Sequence, residues 1–262
     1  MNDALLAPRR FVSLERLLWL GGRFFHLITA DTPIRVPFGI NRGRLWVRGS
    51  ANAPEWLGIY EYGKQRLLRH LVREGSVVCD IGANAGFYTL ALSALVGPRG
   101  RVVSFEPMPV NVNKLRRHLK INQISNVLVT ACALSDRSGV VGFAPGESDF
   151  TGRISGNTRG ALPVPTITLD EFLSQQGLAD PSFLKIDVEG AEARVLEGAQ
   201  KCIERSRPAM LVAIHGREAA QQCHALLCGW GYIVRTPGGV KIENAAEMPD
   251  EIVAISQTDP AQ

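Results

Sequence analysis

The sequence predicts an α/β fold in which a mostly parallel sheet carries helices on both faces. From about residue 64 onward, short apolar runs alternate with segments whose apolar residues recur at helical spacing. These runs are continuously apolar, which is typical of strands buried on both faces. At 262 residues, 45% of them hydrophobic and 21% charged, the chain is long enough for one large domain with an appendage. The same composition argues against disorder and coiled coils.

Seven strands are expected in this sheet. Two runs near the C-terminus, 232–235 and 252–255, are joined through Pro237-Gly238-Gly239, which predicts a closing antiparallel hairpin or strand pair. The other five runs are rich in β-branched residues and are expected to form the buried centre of the sheet. They lie at residues 77–81, 102–105, 127–132, 183–186 and 210–214.

Helical segments fill the intervals between these strands. Four are expected near residues 64–73, 85–96, 110–121 and 189–204. Thr168-Leu-Asp-Glu171 has the pattern of a capping box and predicts a short helix that stops before Gly177. Residues 145–160 contain few apolar anchors, so we expect a long surface loop there, either without fixed structure or acting as a lid over a site.

The N-terminal part of the chain differs from the rest in charge. Residues 1–60 hold eight Arg and no Lys against four acidic residues, whereas the remaining 202 residues are balanced. We therefore predict a basic extension over residues 1–56, with an amphipathic helix and a possible hairpin, followed by one domain over residues 57–262. Residues 11–28 are too short and too charged to span a membrane. Packing on its own domain is the usual fate of such a helix, and contact with a membrane surface or a partner remains open.

Cysteine usage indicates the compartment. The chain has five cysteines, which is an odd number, and no convincing secretory signal. Free thiols in a reducing compartment are the expected consequence, and we predict a cytoplasmic protein.

The sharpest motif is a strand that runs into a glycine turn opening a helix, at residues 77–89. Gly82 and Gly86 allow a tight turn and a close approach of the backbone to a ligand at the helix N-terminus. Asn84 and Phe87 occupy positions where a dinucleotide fingerprint has glycine. Asp80, at the end of the strand, would repel a pyrophosphate but suits the ammonium and sulfonium of S-adenosylmethionine.

Glu106 ends the next predicted strand, twenty residues beyond Gly86. A carboxylate at this position can accept hydrogen bonds from both hydroxyls of a ribose. Sites for NAD and for S-adenosylmethionine share this feature, so Asp80 decides in favour of S-adenosylmethionine.

A second group of acids and a histidine follows later strands of the predicted sheet. Asp187 comes directly after residues 183–186, and Glu189 is expected to begin the next helix, where the helix dipole alone favours an acid. His215 follows the strand at 210–214 and is the one histidine at the carboxyl end of a strand. The remaining histidines lie in helical patterns, where surface or packing roles are the default: His26, His70, His118 and His224.

Six segments occur in an order that is specific in combination. They are Gly58-Ile-Tyr-Glu61, Asp80-Ile-Gly-Ala-Asn-Ala-Gly-Phe-Tyr88, Ser104-Phe-Glu-Pro107, Ala133-Leu-Ser-Asp136, Thr168-Leu-Asp170 and Leu184-Lys-Ile-Asp-Val-Glu-Gly-Ala-Glu192. With them, the run from about residue 57 to 216 resembles the FkbM family of S-adenosylmethionine-dependent methyltransferases. The resemblance implies a Rossmann-like class I methyltransferase fold and methylation of hydroxyl groups on sugars, glycans, polyketides or other secondary metabolites.

The resemblance also implies which residues hold each part of S-adenosylmethionine. The methionine end of S-adenosylmethionine would be held by the glycine turn, the ribose by Glu106, and the adenine by Ala133 and Leu134. The residues expected at the methionine end are Asp80, Gly82, Asn84 and Gly86.

Methyl transfer to an alcohol needs alignment and a base. We expect His215 to be the general base, with Asp187 or Glu189 orienting it or binding the acceptor. A divalent cation on Asp187 and Glu189 is a competing arrangement, but two carboxylates are too few ligands for us to assign a metal site.

Other functions on the same fold remain open at this stage. They are an N-methyltransferase, a nucleic-acid methyltransferase, a dehydrogenase and a protein that binds a nucleotide without chemistry. A nucleic-acid substrate is not expected, because the sequence lacks the Pro-Pro motif of amino-methylating DNA enzymes and any basic module interleaved with aromatic residues. We expect a small-molecule, sugar or glycan acceptor instead.

Overall fold

The structure is a computed structural model and describes residues 31–145, 152–155 and 162–257. The predicted amphipathic helix at 11–28 lies outside the described residues. The strands are β1 Pro33–Arg35, β2 Leu45–Val47, β3 Val77–Ile81, β4 Arg101–Phe105, β5 Val127–Thr130, β6 Ala133–Leu134, β7 Gly139–Pro145, β8 Gly152–Ser155, β9 Leu162–Ile167, β10 Phe183–Ile186, β11 Ala209–Ala213, β12 Tyr232–Arg235 and β13 Glu251–Ser256. The helices are α1 Ala53–Leu57, α2 Tyr62–Leu71, α3 Phe87–Val96, α4 Pro109–Ile121, α5 Leu169–Gln176, α6 Glu192–Glu197, α7 Gln200–Ser206 and α8 Arg217–Gly229.

The main sheet has seven strands in the order β12-β13-β11-β10-β3-β4-β5. The five strands from β11 to the edge strand β5 are parallel, and β13 runs antiparallel between β11 and β12. Buried apolar clusters cover both faces. The predicted mostly parallel, Rossmann-like sheet is therefore confirmed. The order reverses between β3 and β10, and in open α/β sheets ligands bind outside the carboxyl ends of the strands at such a switch point.

The register of the two switch-point strands brings the two predicted motifs together. Lys185 of β10 lies opposite Asp80 of β3, and Ile186 lies opposite Ile81. The glycine turn after β3 and the acidic turn after β10 consequently leave the sheet side by side. This pairing places all the site residues described below at one edge.

A second sheet was not anticipated from the sequence. It contains four strands in the order β6-β9-β7-β8. The prediction of a loop over 145–160 is therefore wrong for Gly152–Ser155, which pairs with β7. The strand predicted at 127–132 ends at Thr130, and Ala133–Leu134 pairs with β9 instead. Gly and Pro are frequent in these strands, which hides the usual strand pattern.

The single helix predicted over 189–204 is also wrong, because α6 and α7 are separate. A Cβ atom on Gly198 would lie 2.0 Å from the carbonyl oxygen of Ser135, so the chain passes close to another backbone where the helix breaks. Asp170 caps α7 by accepting hydrogen bonds from the amides of Lys201 and Cys202. Glu189 does not begin the helix, since it has a left-handed φ of +56° and α6 starts three residues later.

The strands β1 and β2 form an antiparallel hairpin that packs on α4. Trp46 is fully buried and stacks on His118 with ring centroids 3.9 Å apart. The Asn122 side chain accepts from the amide of Leu45 and donates to its carbonyl oxygen, both at 2.7 Å. His118 thus has the packing role expected from its helical pattern. The predicted boundary between residues 56 and 57 falls inside α1.

His118 is held as a neutral imidazole between two backbones. Its Nδ1 lies 2.7 Å from the carbonyl oxygen of Ala85, and its Nε2 accepts from the amide of Val47 at 3.0 Å. Burial lowers the pKa of His118 to about 4. This histidine therefore connects the hairpin to the glycine turn.

Two further observations concern the cysteines and the described helices. All five cysteines are free, and Cys228 is exposed while the others are buried. Within the described ranges, none of the helices has the length and apolar character needed to cross a membrane.

Candidate functional site

A cavity of about 290 Å³ lies at the carboxyl ends of β3, β4 and β10. Its wall combines the glycine turn, the segment after β4, the start of β6 and the turn after β10. The hairpin and α1 contribute the remaining wall. The residues that line it include Trp46, Asn52, Glu55, Tyr60, Gly82, Asn84, Glu106, Met108, Cys132, Ala133, Leu134, Lys185, Asp187 and Glu189.

Gly82 makes close approach of the two turns possible. Its φ is +80°, and a Cβ atom there would lie 1.8 Å from the carbonyl oxygen of Asp187. Any side chain would push the glycine turn away from the acidic turn after β10. Gly82 is therefore required for the cavity itself, besides any contact with a ligand.

Glu106 is nearly buried at 5% exposure and reaches the cavity wall. One carboxylate oxygen accepts from the amide of Asn84 at 2.7 Å, and the other accepts from the amide of Met108 at 2.9 Å. Burial raises the pKa of Glu106, and these hydrogen bonds act in the opposite direction. The oxygen that accepts from Met108 also accepts from the Asn111 side chain at 3.4 Å. The oxygen that accepts from Asn84 keeps a second lone pair, which a ligand hydroxyl can use.

Asp80 does not line the cavity. We expected direct contact with the methionine end of a cofactor, but the side chain is fully buried behind the turn. The Thr89 hydroxyl donates to Oδ2 at 2.5 Å, and the Lys185 ammonium lies 3.6 Å from Oδ1. Gly86 also lies behind the wall, where a Cβ atom would meet Leu115 at 2.4 Å. Asp80 instead points from β3 toward α3, which carries Thr89.

Lys185 is a site residue that sequence reasoning missed. Its ammonium donates to the carbonyl oxygen of Gly82 at 2.9 Å and lies 3.4 Å from Asp187 Oδ2. Burial alone would lower the pKa of Lys185, but the charges of Asp187 and Asp80 outweigh it and the pKa is raised. A lysine inside a buried strand was the available signal, because such a charge needs partners.

The far end of the cavity is apolar. Ala133 and Leu134 are both buried and line it together with Cys132 and Met108. Because β6 turns into the second sheet, the backbone at 133–134 runs along the wall. This end of the cavity is therefore lined by apolar side chains.

At the opposite end, three polar side chains converge. His215 Nε2 lies 3.8 Å from Asp187 Oδ1 and 3.6 Å from Glu189 Oε2. Asp187 and Glu189 line the cavity, and their exposures of 33% and 42% place them at its mouth. The structure thus unites the three residues predicted as catalytic.

Glu192 is the second residue that sequence reasoning missed. It is fully buried in the first turn of α6, and its Oε1 lies 2.7 Å from His215 Nδ1. This hydrogen bond is the largest influence raising the pKa of His215, followed by burial, which lowers it, and by the charges of Glu192, Glu189 and Asp187. Its position in a helix start hid its role, because acids are common there for the helix dipole alone.

The N-terminal elements close one side of the site. Tyr60 packs edge-on against Phe87 and Tyr88, with ring centroids 5.4 and 6.3 Å apart. Burial and the nearby charges of Glu61 and Asp187 raise the pKa of Tyr60. Tyr60 therefore lines the cavity beside the start of α3.

Comparison with known proteins identifies the family. The sequence profile of the methyltransferase FkbM domain matches residues 80–253, well over half of the chain. The chain belongs to the FkbM methyltransferase family. The match contains the glycine turn, Glu106, the acidic turn and His215, and it begins at Asp80.

Several named proteins are similar to this family member. Hexuronic acid methyltransferase AglP of Haloferax volcanii is 29% identical over 150 residues, covering 57% of this chain and 60% of AglP. The 31-O-demethyl-FK506 methyltransferase FkbM of Streptomyces tacrolimicus is 29% identical over 202 residues, covering 64% and 77%. The 2-O-methyltransferase NoeI of Sinorhizobium fredii is 26% identical over 161 residues, covering 55% and 65%. The matched part therefore spans less than two thirds of AglP and of NoeI.

Solved structures align more loosely. Methyltransferase FkbM from Methylobacillus flagellatus KT gives a TM-score of 0.45 at 16% identity, over 78% of this chain and 55% of that chain. Fibrillarin of Aeropyrum pernix gives a TM-score of 0.43 at 17% identity, over 71% and 68%. The assignment to the FkbM family rests on the profile match, and the fold rests on the strand order described above.

Proposed function

We propose that this FkbM-family protein transfers a methyl group from S-adenosylmethionine to a hydroxyl group of a sugar, a glycan or another small molecule. The observation that carries the proposal is the position of His215, whose Nε2 faces Asp187 and Glu189 at the mouth of the cavity. Family membership supports methyl transfer. The relatives' names support the acceptor class, since two specify an oxygen atom and one a hexuronic acid.

The cofactor proposed is S-adenosylmethionine, and the cavity offers a partner for each of its parts. Gly82 and Asn84 would take the methionine end, where the turn opens α3. Glu106 would accept hydrogen bonds from the ribose hydroxyls. Ala133 and Leu134 would contact the adenine.

Asp80 and Gly86 would support the cofactor from behind the wall. Asp80 holds Lys185 by charge, and Lys185 in turn holds the carbonyl oxygen of Gly82. Gly86 lets α3 pack against Leu115. Asp80 and Gly86 would therefore influence cofactor binding by fixing the shape of the glycine turn.

Bound S-adenosylmethionine supplies a methyl group activated by a sulfonium. The residues of this chain align the acceptor oxygen with that methyl group and remove the hydroxyl proton. We assign the proton to His215 Nε2 and the binding of neighbouring acceptor hydroxyls to Asp187 and Glu189. The imidazolium that forms is stabilised by the carboxylates around it, because opposite charges favour the protonated ring.

Calorimetric titration tests the cofactor assignment. Wild-type protein is titrated with S-adenosylmethionine, S-adenosylhomocysteine and NAD, and Glu106→Gln is titrated in parallel. We expect both sulfur nucleosides to bind wild-type protein and NAD not to bind. Binding of NAD alone would overturn both the cofactor and the reaction.

A panel of acceptors tests the reaction. Neutral sugars, uronic acids and hydroxylated natural products are incubated with cofactor that carries a labelled methyl group. We expect the label to appear as an O-methyl ether. Label on nitrogen, or on nucleic acid in the same assay, would contradict the proposed acceptor class.

Metal assistance is a second candidate, favoured by one observation. Each of Asp187, Glu189 and His215 offers one ligand atom, and these three atoms lie within 4.8 Å of one another. This spacing leaves room for a divalent cation at about 2.1–2.6 Å from each atom. Activity that is abolished by a chelator and restored by Mg²⁺ or Mn²⁺ would favour this candidate over a base mechanism.

The free cysteines support a location for this activity. All five are unpaired, as expected in a reducing compartment. We therefore propose that methyl transfer takes place in the cytoplasm, which fractionation of the producing cells would check.

A further inference from the structure

Glu192 is a fully buried carboxylate that the proposed reaction does not use directly. It lies in the first turn of α6, outside the residues that line the cavity. Its Oε1 is the hydrogen-bond partner of His215 Nδ1 at 2.7 Å. Burying an ionised carboxylate without hydrogen-bond partners would cost free energy. The contact between Glu192 and His215 therefore needs an explanation.

The turn before α6 fixes this carboxylate in place. Glu189 and Gly190 have φ values of +56° and +100°, and the amide of Gly190 donates to the same Oε1 at 3.0 Å. The two left-handed residues bring Glu189 to Nε2 of the ring while Glu192 remains at Nδ1. The imidazole is consequently held at both nitrogens by one short segment.

An ionised carboxylate can only accept hydrogen bonds. Nδ1 of His215 must therefore carry the hydrogen when the ring is neutral. Nε2 then has a lone pair, and this atom faces Asp187 and Glu189, which line the cavity. Asp187 is also paired with Lys185, whose ammonium lies 3.4 Å from Asp187 Oδ2 and 3.6 Å from Asp80 Oδ1.

We propose that Glu192 is the positioning residue of the base, holding the proton on Nδ1 of His215 so that Nε2 is free to accept the acceptor's hydroxyl proton. This inference rests on the proposed function. The same logic governs the acid in a Ser-His-Asp triad, which fixes the tautomer of its histidine.

The methyl-transfer step balances in atoms, protons and electrons. An acceptor oxygen lone pair forms the new C–O bond as the C–S bond breaks, and the sulfur takes that electron pair. The hydroxyl proton moves to Nε2, which gives an imidazolium with hydrogen on both nitrogens. Glu192 accepts throughout, and the extra proton leaves from Nε2 to solvent.

The test is the tautomer of His215, observed through its ring nitrogens by two-bond ¹H–¹⁵N correlation. The protein is labelled with ¹⁵N and studied at a pH well above the pKa of the ring, with His215→Asn used to assign the signal. We expect wild-type His215 to be in the Nδ1–H form. An Nε2–H form in the wild-type protein would overturn the proposal, whether or not any variant folds.

Glu192→Gln provides the second measurement, because an amide can donate to Nδ1 as well as accept from it. We expect a mixture of tautomers or a majority of Nε2–H. The matched control is Glu197→Gln, an exposed acid on the same helix, which should leave the signal unchanged. A wild-type tautomer in Glu192→Gln would contradict a positioning role.

Calorimetry with S-adenosylmethionine separates this inference from the proposed function. Glu192→Gln should bind the cofactor like the wild-type protein, while methyl transfer falls by about 10-fold to 100-fold, mainly in kcat. Failure of wild-type protein to bind the cofactor would remove the proposed function but leave the tautomer result standing. Loss of binding in Glu192→Gln alone would show a structural role and overturn positioning.

Discussion

The two ends of the cavity are constructed differently. The cofactor end, formed by Gly82, Asn84 and Glu106, comes from one continuous β-α-β unit, and its key hydrogen bond joins residues 22 positions apart. The acceptor end joins the turn after β10 to His215, the second residue after β11, and its key hydrogen bond joins two side chains, those of Glu192 and His215.

The difference lies in what supplies the polar contacts. At the cofactor end, the shortest hydrogen bonds to the buried Glu106 come from backbone amides, and one longer bond comes from the Asn111 side chain, so most of the geometry follows from the backbone. At the acceptor end, side chains satisfy one another, as in the contacts of His215 with three carboxylates. Backbone partners tolerate substitution of neighbouring side chains, whereas a side-chain network fails when one member is removed. We therefore expect mutations at the two ends to separate binding from catalysis.

The largest expected effect is at the acceptor end. His215→Asn removes the proposed base, and methyl transfer should fall by about 10²-fold to 10⁴-fold while the Kd for S-adenosylmethionine stays the same. Rates and calorimetry on the same preparation measure this. His224→Asn, a histidine on α8 away from the cavity, is the control. Equal losses of binding and rate in His215→Asn would break the proposed division between the two ends.

Gly82→Ala should damage both ends at once. The new Cβ atom would lie 1.8 Å from the Asp187 carbonyl oxygen, and the alanine would have to adopt a φ of +80°. We expect the free energy of unfolding to fall by about 3 kcal/mol or more, as measured by urea denaturation. Gly75→Ala is the control for the backbone angle alone, since its φ is +78° and its surroundings are open. Similar losses in the two variants would show that the close approach contributes little.

Acid should lower the free energy of unfolding through His118, which connects the hairpin to the glycine turn at the cofactor end. Its pKa is about 4 in the folded protein against 6.5 unperturbed, so between these values the unfolded chain binds more protons. The free energy of unfolding should fall as pH falls from 6.5 to 4, by at most about 3 kcal/mol. Urea denaturation at a series of pH values measures this. His118→Asn should remove that part of the pH dependence, and exposed His70→Asn should retain it.

The smallest expected effect is on cofactor affinity. Glu106→Gln keeps the shape of the side chain but loses charge-assisted hydrogen bonds, so the Kd for S-adenosylmethionine should rise by about 10-fold. Asp170→Asn is the matched control, because Asp170 also accepts from two backbone amides but lies outside the cavity wall. An unchanged Kd in Glu106→Gln would remove Glu106 from the ribose site.

Much of the fold followed from local patterns. The parallel strands and the closing antiparallel pair could be predicted, because strands buried on both faces leave continuous apolar runs. The second sheet could not, because Pro163 and Pro165 interrupt β9 and the alternation there is weak. The break between α6 and α7 was also hidden, since Gly198 is required by the backbone of Ser135, which is distant in sequence.

The sequence by itself determined the glycine turn, the acid after β4 and the presence of Asp187, Glu189 and His215 in the segments that follow β10 and β11. Each depends on residues that are close along the chain. Only the tertiary structure decided that Asp80 lies behind the wall and that Lys185 connects it to Asp187. It also decided that Glu192 reaches His215. These contacts arise from the register of β3 and β10 and from the turn at 189–190, and side-chain directions across separate elements leave no periodic signal in a single sequence.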